Sequence, residues 1–221
     1  MEPLQFIRTL QFTDSFFPVG AFAYSDGLET AASKGCVRDA ASLGKWMDHF
    51  VEGVFIPVEG LAFVKCMRAL KVGDLEKLYA LDEELTAIRP ARAIRASSTG
   101  IGKRLLSVFA GISGSEQAIS LPQGNAAVAY AAVLFRCGVE ERTAALAFGY
   151  NRIAGIVSAG LRLISLGQQQ GQILLTETAG RLPGAVDRIL ASADEPLRAF
   201  SPLLDIHQMN HQYLYSRLFR S

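Results

Sequence analysis

The sequence predicts an all-α protein, a single domain of roughly eight to ten packed helices followed by an extended C-terminal tail. Three observations lead there. Apolar residues recur at helical spacing along most of the chain, alternating strand-like runs are scarce, and one alanine-rich stretch is apolar on every side. Neither internal repeats nor low-complexity segments interrupt the pattern.

Leu43, Trp46, Met47, Phe50, Val51 and Val54 form one stripe of an amphipathic helix. Asp74 is placed to cap a second helix, whose stripe is Leu75, Leu78, Leu81, Leu85 and Ile88. Pro90 disfavours helical geometry in the residue before it, so this helix should stop near Arg89. Ala126 to Phe135 reads as a central, fully buried helix. A further helix carries Ile153, Ile156, Val157, Leu161 and Ile164 on one face. Its small residues Gly155, Ala159 and Gly160 would let a neighbouring backbone approach, in the core or across a homodimer. Short loops are expected at 113–116, 121–124 ("LPQG") and 181–184 ("RLPG"). Residues 1–200 thus form the helical body. Residues 201–221 form a tail whose Tyr213, Tyr215, Arg217, Phe219 and Arg220 suit docking on a partner, with Phe219 and Arg217 as anchors.

Composition narrows the function. Half of the residues are hydrophobic, 19% are charged and mean hydropathy is +0.22, an apolar balance that favours a partner-covered face and a homodimer. A net charge of +1 gives no reason to expect nucleic acid. The longest apolar run has ten residues, too short for a membrane span of about 20. The N-terminus "MEPLQFIRTL" lacks a basic segment and a long apolar one, so no signal peptide is expected. Cys36, Cys66 and Cys137 lack metal or redox spacing and read as free thiols, which with the missing leader points to the cytoplasm.

Enzyme signatures are absent: no phosphate loop, dinucleotide fingerprint, zincin motif or nucleophile elbow occurs. "GIGKRLL" at 100–106 lacks the spacing of a phosphate loop and reads as a helix with close-packing glycines. His49 falls on the polar side of its helix. His207 and His211 share a face at i, i+4 and are weak candidates for a nickel, copper or zinc ion, since no third ligand lies at a telling spacing. Arg89, Arg92 and Arg95 cluster where one helix breaks and the next begins, an edge suited to an acidic or nucleotide-bearing partner.

The most distinctive stretch is "FPVGAFAYSDGLE", residues 17–29. Pro18 fixes φ, Gly20 and Gly27 permit positive φ, and Phe22 and Tyr24 anchor the turn. Ser25 or Asp26 can cap the next helix, with Glu29 in its first turn. The pattern P-x-G-x-F-x-Y-S-x-G-L-E falls on Pro18, Gly20, Phe22, Tyr24, Ser25, Gly27, Leu28 and Glu29, and it resembles the N-terminal signature of the UreF family of urease accessory proteins. Further agreement lies in "ELTAIRPARAIRASSTGIGKRLL", in Ser158 to Gln168, and in the terminal "YSRLFRS", Tyr215 to Ser221, so the resemblance spans nearly the whole chain. It implies an all-α homodimer that is not an enzyme and binds no cofactor tightly. Such a protein bridges a UreH/UreD-type scaffold and a UreG-type GTPase while the complex delivers nickel to apo-urease. The implied partner-binding residues are Pro18, Gly20, Phe22, Tyr24, Ser25, Gly27 and Glu29 at the front and Arg95, Gly167 and Gln168 in the middle. At the end they are His211, Tyr215, Arg217, Leu218, Phe219, Arg220 and Ser221. Ala93 and Gln123 depart from the family pattern, which often has glutamate and histidine near those points. Two alternatives stay open: a GTPase regulator supplying an arginine, and a nickel metallochaperone in its own right.

Overall fold

The computed structural model describes residues 2–114 and 119–220, so part of the loop expected at 113–116 lies outside the described residues. Among the described residues there are ten α-helices and no strand. Helix α1 (Pro3–Thr13) begins on a proline, where a missing N–H is harmless. A turn leads to the short α2 (Leu28–Ser33). Helix α3 (Ala40–Phe50) opens on Asp39, whose carboxylate accepts from Ser42 N at 2.8 Å. The stripe that starts at Leu43 does not stop with α3. The chain runs on through a π-helical segment, Val51–Gly60, into α4 (Leu61–Val72), with Pro57 inside the rod. A proline ring crowds the carbonyl one α-turn back and offers it no donor, and the wider π turn relieves both demands. A Cβ at Gly60 would lie 2.5 Å from Ile189 Cδ1, so glycine there lets the helix that carries Ile189 close on the rod.

Gly73 ends α4 at φ +73°, and Asp74 caps α5 (Leu75–Ala87) by accepting from Lys77 N at 2.9 Å, as the sequence expects. The remaining helices are α6 (Arg92–Ser113), α7 (Ala126–Arg136), α8 (Glu141–Leu163), α9 (Gln168–Ala191) and α10 (Pro202–Asn210). The loop expected at 181–184 is instead helix, with Pro183 inside α9. Leu175, Leu182, Val186 and Ile189 are buried on this helix, and their packing outweighs the local cost of about 3 kcal/mol for an interior proline.

Helix α7 is the centre of the fold, buried from Ala127 through Leu134 and flanked by α4, α6 and α8. Phe63 of α4 stacks on Phe148 of α8 at 5.0 Å between ring centroids, and Tyr130 of α7 meets Phe148 at 5.5 Å. Burying such a ring contributes roughly 1.5–3 kcal/mol. The Tyr130 hydroxyl has no partner among the described residues, and burial pushes its pKa up to about 12. Cys66 and Cys137 are free and buried, and burial raises both thiols. The small face of α8 serves the chain's own core rather than a second copy: Ala159 and Gly160 are buried, and a Cβ at Gly160 would lie 2.6 Å from Leu43 Cδ2. Gly155 alone faces open space.

The entry to α7 is set by Asp82 of α5, which is fully buried. Its carboxylate accepts from the backbone N–H groups of Gln123, Gly124 and Asn125 at 2.7, 2.8 and 2.8 Å, and so sits at the positive end of α7. Asn125 donates back to the Asp82 carbonyl and accepts from Ser98 Oγ of α6. Gln123 takes part through its backbone. Helix α6 reaches this loop because residue 102 is glycine, where a Cβ would lie 2.1 Å from the Gly124 carbonyl oxygen. Gly102→Ala must therefore push backbone from backbone. A loss of about 1–3 kcal/mol in urea unfolding is expected, with near-normal helical content.

Candidate functional site

Residues 17–29 fold into a turn that left-handed backbone makes possible. Gly20, Asp26 and Gly27 have φ of +75°, +52° and +88°, and Ala21–Ala23 forms a single 3-10 turn between them. Ser25 Oγ accepts from Glu29 N at 3.3 Å and fixes the start of α2. Glu29 is then only 7% exposed, and a buried carboxylate needs donors. The far end of the chain supplies them. His211 Nε2 lies 2.8 Å from Glu29 Oε2, Phe219 N donates to the same oxygen at 3.2 Å, and Leu218 N donates to Oε1. An ionised carboxylate only accepts, so His211 carries a proton on Nε2.

The tail is held at further points. Arg220 N donates to the Ala23 carbonyl at 2.8 Å. Arg162 of α8 stands between the two ends: its Nη1 donates to the Phe22 carbonyl at 2.8 Å, and its guanidinium lies 4.3 Å from the centroid of the Phe219 ring. Gly27 packs on α10, where a Cβ would come within 2.9 Å of Gln208 Cγ, so glycine is required there by both φ and contact.

Beneath the turn lies a buried chain of charges. Arg152 of α8 donates to Asp26 Oδ2 at 2.6 Å and to Glu59 Oε2 at 2.7 Å, and Arg89 donates to Glu59 Oε1 at 2.7 Å. Burial works against the charge on Arg152, but Asp26 and Glu59 outweigh it and hold its pKa above the ordinary value. Two carboxylates face two guanidiniums, and removing one partner from such a buried set costs about 3–5 kcal/mol. Asp26 adopts its positive φ within this set.

The expected partner-binding residues divide by exposure. Ser25, Gly27, Glu29, His211 and Phe219 are buried and tie the ends together; Tyr24 is half-buried. Phe219, expected to anchor on a partner, is 4% exposed and packs on the chain itself. Pro18, Phe22, Tyr215, Arg217, Leu218 and Arg220 are exposed, and Gly20 is half-buried in the same turn. Gly167 and Gln168 are exposed at the start of α9. Arg95 is engaged locally: its Nη1 donates to the carbonyls of Arg89 and Pro90 at 2.5 and 2.9 Å, closing the end of α5. Ser221 lies outside the described residues. His207 and His211 do not converge, because the His207 ring lies 5.6 Å from Trp46 while His211 faces Glu29. Among the described residues no group of three or more His, Cys, Asp or Glu side chains could hold a metal ion. No helix there is long and apolar enough to cross a membrane. The sequence offers Asp26 only as a helix cap and gives no signal for the pairings of Glu59, Arg152 and Arg162, because their partners lie at separations no spacing rule covers.

The UreF family model matches residues 37–179. The chain belongs to the UreF family. A protein of Microcystis aeruginosa described as urease accessory protein UreF is 34% identical over the whole of both chains. UreF proteins of Methylobacillus flagellatus and Actinobacillus pleuropneumoniae are 32% and 33% identical, each over 96–97% of both chains. The family model stops short of both residues 17–29 and the tail, whereas the match to the Microcystis protein covers both.

Two outcomes are expected for this UreF chain. Glu29→Ala leaves two backbone donors and His211 without an acceptor, at a cost of about 1–3 kcal/mol confined to the tail. Trypsin should then cut after Arg217 at least about tenfold faster, with the circular dichroism spectrum unchanged. His207 is buried with Nδ1 unpartnered, and burial, then Lys34, lowers its pKa below 6.5. The folded state therefore holds fewer protons than the unfolded one in the window just below pH 6.5, and stability falls as pH falls through it. His207→Phe should flatten that part of the stability–pH curve.

Proposed function

We propose that this chain is a non-catalytic urease accessory protein that bridges a UreH/UreD-type scaffold and a UreG-type GTPase, so that nickel reaches apo-urease through the complex. The observation that carries this reading is the latch that Glu29 and its neighbours form with His211, Leu218, Phe219 and Arg220 of the tail. Its buried members spend their hydrogen bonds joining the chain's two ends, and its exposed members, Phe22, Tyr215, Arg217 and Leu218, are brought to one region as a result. Aromatic, aliphatic and arginine side chains without partners of their own are what interface centres use. The relatives' description as urease accessory proteins supplies the pathway. Nickel is cargo in this reading and no cofactor is held tightly. The setting is cytoplasmic, with no role for nucleic acid or membrane.

A homodimer belongs to the proposal. Leu4, Ile7 and Leu10 of α1 are more than half exposed, an apolar stripe left uncovered by the single chain. Light scattering at tens of micromolar should give twice the chain mass.

The alternatives are less well supported. An arginine supplied to the GTPase needs a free guanidinium, whereas Arg95 is committed to two carbonyls. A chain-borne nickel site needs converging ligands, whereas His207 and His211 face Trp46 and Glu29. The deciding experiment is scaffold capture by Tyr215→Ala/Leu218→Ala, which should fold normally and bind about tenfold or more weakly. Unchanged capture would overturn the reading. In single-turnover assays with adaptor in excess, Arg95→Ala should leave GTP hydrolysis within a few-fold, whereas loss of a catalytic arginine costs about 10³-fold or more.

A further inference from the structure

The face around the 17–29 turn carries more positive charge than the chain itself balances. Elsewhere exposed arginines sit beside acids: Arg142 beside Asp187, Arg181 beside Asp48 and Arg188 beside Glu52, at 2.8, 2.6 and 2.6 Å. Around the turn they sit beside carbonyls. Arg104 of α6 donates to the Pro18 carbonyl at 3.3 Å, and Arg162 to that of Phe22 at 2.8 Å. A neutral carbonyl satisfies an N–H group but leaves the charge in place. Lys103 shares a face with Arg104, because both follow Gly100 by a helical turn, and a Cβ at Gly100 would lie 3.4 Å from the Tyr24 hydroxyl. Arg217 and Arg220 flank Leu218 and Phe219, the two tail residues that donate to Glu29. Among the described residues these five cations form no ion pair.

The acids of this face are few. Asp14 is exposed and accepts from Phe16 N at 2.7 Å, Glu29 is buried in the latch, and Asp26 is matched by Arg152. Five cations against two carboxylates leave the face positive. Helix α6, which runs beside the turn, has four basic residues and no acid over Arg92–Ser113. Apolar surface lies among the charges. Phe16 and Phe22 are 93% and 70% exposed, and with Pro18, Val108 and Ile112 they line one open groove. Asp14 lines that groove too and is the group that opposes an acid there.

We propose that this face docks an acidic surface of a partner protein, whose carboxylates meet Lys103, Arg104 and Arg162 while one of its apolar side chains enters the groove between Phe16, Phe22 and Ile112. The sign of the charge selects the occupant. A second copy in symmetric contact through this face would set the same cations against each other. A flat membrane would bridge the groove, and a phosphate backbone would answer the charges while leaving both rings in water. A protein covers rings and charges together, apolar at the centre and polar at the rim. The inference rests on the adaptor reading, which places a partner on this face, and adds the chemistry of that partner.

The test is association with the purified UreH/UreD-type scaffold, followed by surface plasmon resonance. Between about 50 and about 500 mM NaCl the wild-type chain should associate at least about tenfold more slowly, since salt screens exposed charges. Lys103→Glu/Arg104→Glu should associate about tenfold more slowly than wild type at the lower salt with dissociation little altered, the mark of charges that steer an encounter. Lys103→Arg/Arg104→Lys, which keeps the sign, should stay within a few-fold of wild type. Lys71→Glu/Lys77→Glu, the same change of net charge on α4 and α5, should do likewise. Phe16→Ala should speed dissociation several-fold. Association indifferent to salt or to Lys103→Glu/Arg104→Glu overturns the proposal, as does an equal loss in Lys71→Glu/Lys77→Glu. Binding of phosphatidylglycerol vesicles or duplex DNA that Lys103→Glu/Arg104→Glu abolishes would assign the face to another partner and overturn it too. A wild-type chain that captures no scaffold overturns this proposal and the adaptor reading together. Undiminished capture by Tyr215→Ala/Leu218→Ala overturns the adaptor reading alone.

Discussion

Once Glu29 is buried in the first turn of α2, its ionised carboxylate must find donors, and the C-terminal segment provides them from residues 182 to 190 positions away. The rest of the site follows from that demand. His211 has to present Nε2–H, residues 218 and 219 have to lie with their backbone N–H groups toward the turn, and Arg162 fills the space between the two strands of chain. Gly27 must lack a side chain so that α10 can sit close enough to deliver His211. The exposed residues owe their common location to contacts buried within the chain.

The same device recurs deeper in the fold. Asp82 gathers three backbone donors at the mouth of α7, and Glu59 gathers two arginines beneath the turn. In each case one buried acid joins elements that are remote in sequence. A pair such as Arg188 with Glu52 is more than half exposed on both sides and contributes about 0–1 kcal/mol. The buried acids differ because an unmet carboxylate in the interior costs several times more, so misplacing any one of these segments is penalised. They specify arrangement where the apolar core specifies only compactness.

Local signals in the sequence were faithful where local physics decides. The Leu43 stripe, the Asp74 cap and the apolar run before Phe135 each became the element their spacing implies. Pro183 misled, because a proline's cost is local while the packing that overrides it comes from other helices. The 17–29 turn was legible as unusual through its proline, glycines and aromatics, and its resemblance to one family led to the right relatives. Its use was not legible: Glu29 reads as an ordinary first-turn acid until the tail is in view. Pairings such as Arg152 with Glu59 or Arg162 with Phe219 leave no trace in a spacing pattern.

The latch joins Ala23 and Glu29 to residues 211–220, and this has a consequence for synthesis. A ribosome adds residues at about 5–20 per second and covers the newest of them, so the helical body can collapse before Leu218 and Phe219 emerge. Closing so long a loop is cheap once the body is folded, since the ends are already near each other. The two-ended face therefore forms only once Leu218 and Phe219 have been translated. A polypeptide that stops before Leu218 keeps most of its core yet leaves Glu29 without two of its donors.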